Sequence, residues 1–203
     1  MHISAKKFAK KFLDTYLSNK ENLKIIDFGS YNVNGDVREF YLKRHNYIGL
    51  DIEKGPNVDI LMEDPYKIPL EDNSVDVIIS TSTFEHSEMF WLSFNEIMRT
   101  LKPNGLFYMN APSNGPYHAW PVDCYRFYPD AGNALIKWTN FSGYKNAIMI
   151  AARVLGYGKD YEITVSDDQG NAQKERKLLG WSSKTYIDTL IDEMIQYELK
   201  LME

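Results

Sequence analysis

The sequence predicts an α/β protein built on a doubly wound, mostly parallel sheet with helices on both faces. The first observation behind this prediction is an alternation of short apolar runs with helix-like stretches between residues 24 and 113. Such alternation favours parallel strands joined by crossover helices. The second observation is size, because 203 residues, 44% of them hydrophobic, suffice for the core of one ordinary domain.

The predicted elements follow in order along the chain. Apolar residues at helical spacing predict an amphipathic helix over residues 1–20 that covers the sheet, with binding to a membrane surface as the alternative. Five apolar runs are predicted strands, at residues 24–28, 47–50, 58–61, 75–80 and 106–110. Residues 90–101 repeat with a period near 3.6, which predicts a helix, and residues 102–105 supply a turn that ends it.

The pattern is weaker after residue 114. Pro129 and Asp130 are expected to open a helix that continues to Lys137. Residues 144–152 fit a strand or a helix, and residues 161–165 alternate like a strand. A polar loop is expected at residues 167–177 and a final amphipathic helix at 186–195, with no linker that indicates a second domain.

Charge and cysteine content exclude several classes of protein. A net charge of -5 argues against a nucleic-acid partner, which requires concentrated positive charge. The single cysteine, Cys124, cannot form an internal disulfide, and no apolar run is long enough to cross a bilayer. These features predict a cytoplasmic protein without a membrane span, and they leave its oligomeric state open.

The loop after the first predicted strand, residues 27–35, has the composition of a ligand-binding turn. In an open parallel sheet, ligands bind beyond the carboxyl ends of the strands. Gly29 permits close approach of the backbone to a ligand, and Gly35 tolerates positive φ values. A helix starting near Asp36 would offer free N–H groups to a carboxylate. The alternative interpretation is an ordinary strand-to-helix turn.

Polar residues also follow the next three predicted strands. Asp51 stands at the tip of the second strand, about 20 residues after the glycine loop, where doubly wound folds hold a ribose diol. Asp64, before Pro65, could accept a hydrogen bond from an adenine amino group. Ser80 and Thr81 place small hydroxyl groups at the tip of the fourth strand.

These groups favour a nucleoside ligand without phosphates. A dinucleotide-binding turn would carry three glycines in a G-x-G-x-x-G pattern, whereas this turn has Tyr31 and Val33 in their place. S-adenosylmethionine has a ribose diol, an adenine and an amino-acid end, and these match Asp51, Asp64 and the loop at residues 27–35. It is therefore the predicted cofactor.

Residues 24–113 resemble the class I S-adenosylmethionine-dependent methyltransferases, with their Rossmann-like fold, and in particular the small bacterial Methyltransf_11-like proteins. The segments that carry the resemblance are residues 25–35, 47–59, 68–76, 84–86 and 96–105. The resemblance implies an enzyme in which Gly29 and Ser30 contact the methionine end, Asp51 the ribose and Asp64 the adenine. The full set of candidate cofactor-binding residues is Asp27, Gly29, Ser30, Tyr31, Gly35, Asp51, Ile52, Asp64, Pro65, Ser80 and Thr81.

Residues 121–129 are similar to a Pro-x-Asp-Tyr-x-Arg-Phe-x-Pro segment of bacterial relatives, some of which act in surface-polysaccharide pathways. That similarity implies a small polar acceptor, such as a sugar or a polysaccharide precursor. The chain is accordingly divided into an N-terminal helix at residues 1–20, a cofactor-binding core at 24–113 and an acceptor side at 114–203, all in one domain spanning residues 1–203.

Methyl transfer is an in-line displacement that needs alignment of the acceptor and, for some acceptors, removal of a proton. No metal is expected. The candidate bases are His118, His86 and Asp123, and the candidate acceptor-binding residues are Tyr117, His118, Trp120, Tyr125 and Arg126. For Arg126 two interpretations stay open, because it could bind a carboxylate or phosphate of the acceptor or pair with Asp123 to brace the loop.

Two other functions compete with the enzyme. The first is a catalytically silent protein that keeps the fold as a platform for partners. The second is a nucleotide-dependent oxidoreductase or epimerase, which the missing dinucleotide pattern disfavours.

Overall fold

A computed structural model of the chain describes residues 3–33, 35–128, 130–143, 152–153 and 160–161. Its centre is a five-stranded, wholly parallel sheet with the strand order β3-β2-β1-β4-β5. The strands are β1 (Lys24–Phe28), β2 (Asn46–Asp51), β3 (Ile60–Leu61), β4 (Val75–Thr81) and β5 (Leu101–Asn110). The order reverses direction beside β1, as in a doubly wound sheet. The predicted fold class is confirmed.

Helices pack on both faces of this sheet. Helix α1 (Ile3–Phe12) continues into a π-helical turn at Leu13–Leu17, and α2 (Arg38–Tyr41) is a single turn. Helices α3 (Phe90–Thr100) and α4 (Asp130–Phe141) are longer, and a 3₁₀ turn at Phe84–His86 precedes α3. Two short strands, β6 (Ala152–Arg153) and β7 (Asp160–Tyr161), form a separate antiparallel pair.

Neighbouring residues of each central strand point to opposite faces, so the sheet separates two apolar clusters. One cluster joins Ile26 and Ile78 to Phe94 and Ile97 of α3 and to Leu135 of α4. The other cluster contains residues of α1, α2 and the alternate strand positions, among them Ala9, Phe12, Ile25, Tyr41 and Val77. The expectation that the N-terminal helix covers the sheet is therefore confirmed.

Most predicted elements in the described ranges are present, with three differences. The helix expected near Asp36 begins at Arg38, where the Arg38 amide donates to Asp36 Oδ1 at 2.9 Å, and it has only four residues. Residues 102–105, predicted as a turn, lie within β5 as an irregularity, since Val75 pairs with Leu101 but Val77 with Leu106. The helix predicted from Pro129 to Lys137 runs from Asp130 to Phe141.

Other predictions concern the remainder of the chain. Those for the loop at residues 167–177 and the helix at 186–195 lie outside the described residues, as do most of those for 144–152 and 161–165. Among the described residues, no helix combines the length and apolar character that crossing a membrane requires.

Candidate active site

A cavity of about 1030 Å³ opens at the carboxyl ends of the parallel strands. Its walls come from the ends of four strands and the segments that follow them, namely residues 27–31, 33 and 35–36 at β1, 51–53 at β2, 81–83 and 85–88 at β4, and 110–114 and 118–122 at β5. Additional walls come from Met62, Pro65 and Tyr66. The cavity is at the switch point of the sheet, where a doubly wound fold binds ligands.

The loops after β1 and β2 hold each other in place on one side of the cavity. Asn57 offers its carbonyl oxygen to the Ser30 hydroxyl at 3.1 Å and to the Arg38 guanidinium at 3.3 Å. The ring of Tyr31 lies so close to Gly55 that any Cβ at this glycine would overlap it. The aromatic residue that stands in place of a glycine of the dinucleotide-binding pattern therefore packs onto the neighbouring loop, and its ring also lies near Trp120.

Gly29 is required by packing. It has a φ of 83°, in the region that disfavours other residues, and a Cβ there would overlap the side chain of Thr83. Gly35 has a φ of 105° and donates from its amide to Asn32 Oδ1 at 2.7 Å. Positive φ values at both glycines agree with the conformational role predicted for this turn.

Asp51 is presented to the cavity by two backbone amides. Its Oδ2 accepts from the Tyr31 amide at 2.9 Å, and its Oδ1 accepts from the Glu53 amide at 3.1 Å. Each carboxylate oxygen can accept more than one hydrogen bond, so both remain able to bind a ligand donor. The carboxylate is half-buried beside Ile52 and has a fixed orientation.

Asp27 is a buried acid in the floor of the same cavity. Its Oδ2 accepts a hydrogen bond from the hydroxyl of Tyr47, while its Oδ1 has no partner among the described residues. Burial raises the pKa of Asp27 to about 7. Native structures nearly always give a buried carboxyl oxygen a partner, so Oδ1 can accept from a donor outside the described residues.

Nine of the eleven predicted cofactor-binding residues line the cavity: Asp27, Gly29, Ser30, Tyr31, Gly35, Asp51, Ile52, Pro65 and Thr81. The other two do not. Asp64 is exposed and stabilises a turn by accepting from the Tyr66 amide at 2.8 Å. Ser80 is buried within the sheet beside Thr81.

The segment after β5 is held by backbone contacts to the 3₁₀ turn. The carbonyl oxygen of Glu85 accepts from the amides of Cys124 and Tyr125, at 2.7 and 3.2 Å. The amide of Phe127 donates to the carbonyl of Pro112 at 2.8 Å. The predicted acceptor segment therefore lies directly against the turn that carries His86.

Arg126 braces this segment. Its guanidinium forms a two-pronged ion pair with Asp123, at 2.5 and 2.7 Å, and donates to the Pro116 carbonyl at 2.8 Å. The Asp123 side chain is 1% exposed and also accepts from the His118 amide at 2.7 Å. Arg126 holds the pKa of Asp123 well below its usual range. Of the two interpretations of Arg126, the geometry supports pairing with Asp123.

The predicted acceptor-side residues divide between the cavity and the outer surface. His86, His118 and Trp120 line the cavity. Tyr117 is 77% exposed outside it, and the Tyr125 hydroxyl donates to the Glu88 carbonyl at 2.7 Å. Tyr125 and Arg126 instead border a second, smaller cavity of about 330 Å³ between α3 and α4.

Glu85 is a cavity residue to which the sequence prediction assigned no role. It is 1% exposed, and neither oxygen of its carboxyl has a hydrogen-bond partner in the described part of the chain. Burial raises its pKa to about 7. The sequence feature that could have indicated a role for Glu85 is its position between Phe84 and His86, shortly after the hydroxyl residues at the end of β4.

Residues 33–109 match the family described as a methyltransferase domain, Methyltransf_11. No curated protein sequence matches the chain. Three solved structures illustrate the similarity of fold. The 1,6-didemethyltoxoflavin-N1-methyltransferase of Burkholderia thailandensis, solved with 1,6-didemethyltoxoflavin and S-adenosylhomocysteine, has a TM-score of 0.52 and 17% identity, covering 67% of each chain.

An S-adenosylmethionine-dependent methyltransferase from Archaeoglobus fulgidus has a TM-score of 0.51 and 15% identity, over 66% of this chain and 68% of that one. The [4+2]-cyclase SpnF has a TM-score of 0.51 and 13% identity, over 68% and 57% of the two chains. The chain spans only about half to two thirds of the length of several structures that it matches.

The strand order and the similar solved structures define the fold of the class I S-adenosylmethionine-dependent methyltransferases, as the sequence motifs predict. Within that fold, residues 33–109 match a methyltransferase domain.

Proposed function

We propose that this protein transfers the methyl group of S-adenosylmethionine to an oxygen or nitrogen of a small polar acceptor, such as a sugar or a surface-polysaccharide precursor. The observation that carries the proposal is one cavity with two different sides. The side after β1 and β2 has fixed carboxyl groups, and the side after β4 and β5 has two histidines and an exposed tryptophan.

The residues on the first side fit the cofactor. The carboxylate of Asp51 is oriented by two amides and keeps acceptor capacity on both oxygens, which suits the two hydroxyls of a ribose. The unpartnered Oδ1 of Asp27 suits the ammonium group at the amino-acid end. Pro65 and Ile52 supply apolar surface for the adenine. When bound, the cofactor supplies an electrophilic methyl group on a sulfonium centre.

The residues on the second side suit binding of the acceptor and removal of its proton. His86 donates from Nδ1 to the Val122 carbonyl at 2.6 Å, because a carbonyl oxygen can only accept. The lone pair of a neutral His86 ring is then on Nε2, where it can receive a proton from an acceptor. His118 lies with its ring perpendicular to that of His86, at a centroid distance of 5.1 Å.

Asp123 is the weakest of the three predicted bases. Its carboxylate is already committed to Arg126 and to the His118 amide, and it does not line the cavity. We assign it, with Arg126, to positioning the acceptor loop. Trp120 at the rim of the cavity offers a flat apolar face of the kind that packs against a sugar ring.

Binding of S-adenosylhomocysteine, the demethylated cofactor, tests the cofactor side by calorimetry. Replacing Asp51 by Ala should weaken binding by about 1–3 kcal/mol, the usual loss when charged hydrogen bonds are removed. Asp64→Asn is the matched control, because Asp64 is an acid of a neighbouring loop that lies outside the cavity. Its affinity should equal that of the parent protein.

Two results would contradict this assignment. A folded Asp51→Ala protein with parental affinity would remove Asp51 from the ribose site. A loss confined to Asp64→Asn would restore the adenine role that the sequence predicts for Asp64. The acceptor class is tested by incubating the protein with methyl-labelled cofactor and a panel of sugars and sugar nucleotides. Labelled product from these acceptors supports the proposal, and label transferred only to other compounds overturns it.

A further inference from the structure

The carboxyl group of Glu85 is the most unusual polar group in the cavity. It is almost completely buried, and both oxygens are without a hydrogen-bond partner among the described residues. Leaving such a group unsatisfied costs a folded protein free energy, so native structures nearly always provide a partner. The partner of Glu85 is therefore expected to come from outside the described residues.

The nearest side chain is another acceptor. His86 Nε2 lies 3.8 Å from Glu85 Oε1. Because Nδ1 of His86 donates to the Val122 carbonyl, Nε2 of the neutral ring presents a lone pair. Two groups with lone pairs that face each other across a cavity require a positive species between them. A hydrogen bond from the other ring nitrogen to a carbonyl is also the usual support of a metal-binding histidine.

His118 completes a group of three. Glu85, His86 and His118 each present one potential ligand atom, and the three atoms lie within 4.8 Å of one another. They come from two segments held together by the backbone bonds of the Glu85 carbonyl to residues 124 and 125. The charged groups nearest to His118 are Arg126, 3.3 Å from Nδ1, and Asp123, at 3.4 Å. These two neutralise each other by forming an ion pair.

We propose that Glu85, His86 and His118 form a binding site for one divalent transition-metal ion. Two imidazole nitrogens and one carboxylate suit Zn²⁺ and its neighbours in the first transition series, whereas Ca²⁺ and Mg²⁺ prefer oxygen ligands. Three protein ligands leave coordination positions free, and all three residues line the cavity. Such an open site is typical of a metal that binds a substrate rather than one that supports the fold.

The role of the ion rests on the proposed function. Glu85 follows β4 and His118 follows β5, on the other side of β1 from Asp51, so the ion lies on the acceptor side of the cavity. There it would hold an acceptor hydroxyl by its oxygen and lower the pKa of that hydroxyl, so that the proton is released to water as the oxygen takes the methyl group. The histidines would then hold the ion, and this replaces the proton-accepting role given to His86 above. The inference departs from the sequence prediction, which expects no metal.

Metal binding is tested on untagged protein by equilibrium dialysis against Zn²⁺ and by the visible absorption of added Co²⁺. One ion should bind per chain. Glu85→Gln keeps the size of the side chain but removes its charge, and His118→Ala removes an exposed ligand while the backbone amide of residue 118 still bonds to Asp123. Each variant should lose at least about tenfold in affinity, since even a lost supporting contact costs about 10–100-fold.

Two control variants match these changes. Glu63→Gln replaces an exposed acid outside the cavity, and Tyr117→Ala replaces the exposed neighbour of His118. Both should bind the ion like the parent protein. If Glu85→Gln fails to fold, His118→Ala decides the question. Absence of stoichiometric binding, or equal affinity in His118→Ala, would mean that a proton alone lies between Glu85 and His86 and would overturn the proposal.

Binding of S-adenosylhomocysteine by the same proteins separates this inference from the proposed function. The cofactor residues lie on the other side of the cavity, so both ligand variants should retain the affinity of the parent protein. Normal cofactor binding without metal binding would overturn only the metal site. Metal binding without cofactor binding would overturn only the cofactor site.

Discussion

The acidic residues at the strand ends differ in their hydrogen-bond environments, which the surrounding sequence motifs do not predict. Asp27, Asp51 and Glu85 all lie near the carboxyl ends of strands or just beyond them, yet each has a different environment. Two amides orient the Asp51 carboxylate, one tyrosine hydroxyl bonds to that of Asp27, and the carboxyl group of Glu85 has no hydrogen-bond partner among the described residues. Three acids on one cavity are therefore suited to three different tasks.

The burial of Asp27 predicts a specific dependence of stability on pH. Its pKa is about 7 in the folded protein against an ordinary value of 3.8, so folding favours the protonated carboxyl. The resulting stabilisation is complete below the unfolded pKa and is lost as the pH rises through about 7. A tenfold change in an acid dissociation constant corresponds to about 1.4 kcal/mol.

Asp27→Asn removes this titration but keeps an oxygen that can accept from Tyr47. Compared with the variant, the parent protein should lose up to a few kcal/mol of unfolding free energy between about pH 4 and pH 8. Urea denaturation at several pH values measures the difference. Glu85 is retained in both proteins, so its own raised pKa cancels. Parallel pH profiles for the two proteins would show that Asp27 titrates normally.

At the scale of elements, the loops after β1 and β2 are held in place by different contacts from those of the segment after β5. The loops after β1 and β2 share backbone and packing contacts through Asn57 and Gly55. The segment after β5 has backbone bonds to Glu85 and Pro112 at residues 124–127, but its part at residues 116–123 is held by the side chain of Arg126, which contacts both Asp123 and the Pro116 carbonyl. Removing one side chain is therefore expected to loosen only the second loop.

Arg126→Ala tests this dependence by hydrogen exchange. The amides of residues 117–120 and 122–123 should exchange at least about tenfold faster, since this part of the segment opens locally without its side-chain brace. The affinity for S-adenosylhomocysteine should stay unchanged. Arg44→Ala provides the control, because Arg44 is an exposed arginine with a 3.4 Å ion pair to Glu21. Unchanged exchange in Arg126→Ala would mean that the backbone contacts of Glu85 hold the segment by themselves.

The sequence was informative where periodicity and glycine chemistry decide the structure. Buried strands with near-continuous apolar runs predicted β1 and β4, and the turn at Gly29 predicted a cavity wall. The sequence did not predict which way a side chain points once a strand has ended. Asp64 and Asp51 have similar sequence contexts, but Asp64 turns outward to accept from Tyr66 because its loop closes a turn at Lys67.

At the scale of the whole molecule, binding of a cofactor to the folded state alone must raise its stability. S-adenosylhomocysteine at 100 times its dissociation constant should add about 2.7 kcal/mol. For a chain of this length that corresponds to an increase of roughly 5–10 °C in Tm. NAD should give no increase, because the turn after β1 lacks the glycines that approach a pyrophosphate.

Thermal unfolding followed by fluorescence, with each ligand in turn, measures this difference. The result also distinguishes the competing classes of protein. An increase in Tm with NAD and none with S-adenosylhomocysteine would favour an oxidoreductase or epimerase. An increase with neither ligand would favour a protein that keeps the fold without the cofactor.

The backbone anchoring of the segment after β5 has a consequence for how acceptor specificity can change. The bonds from residues 124, 125 and 127 run between main-chain atoms, to the carbonyls of Glu85 and Pro112. They place no demand on which side chains the segment carries. Laboratory evolution could therefore vary exposed positions such as Tyr117 and Trp120 without moving the backbone, as long as Arg126 and Asp123 are kept.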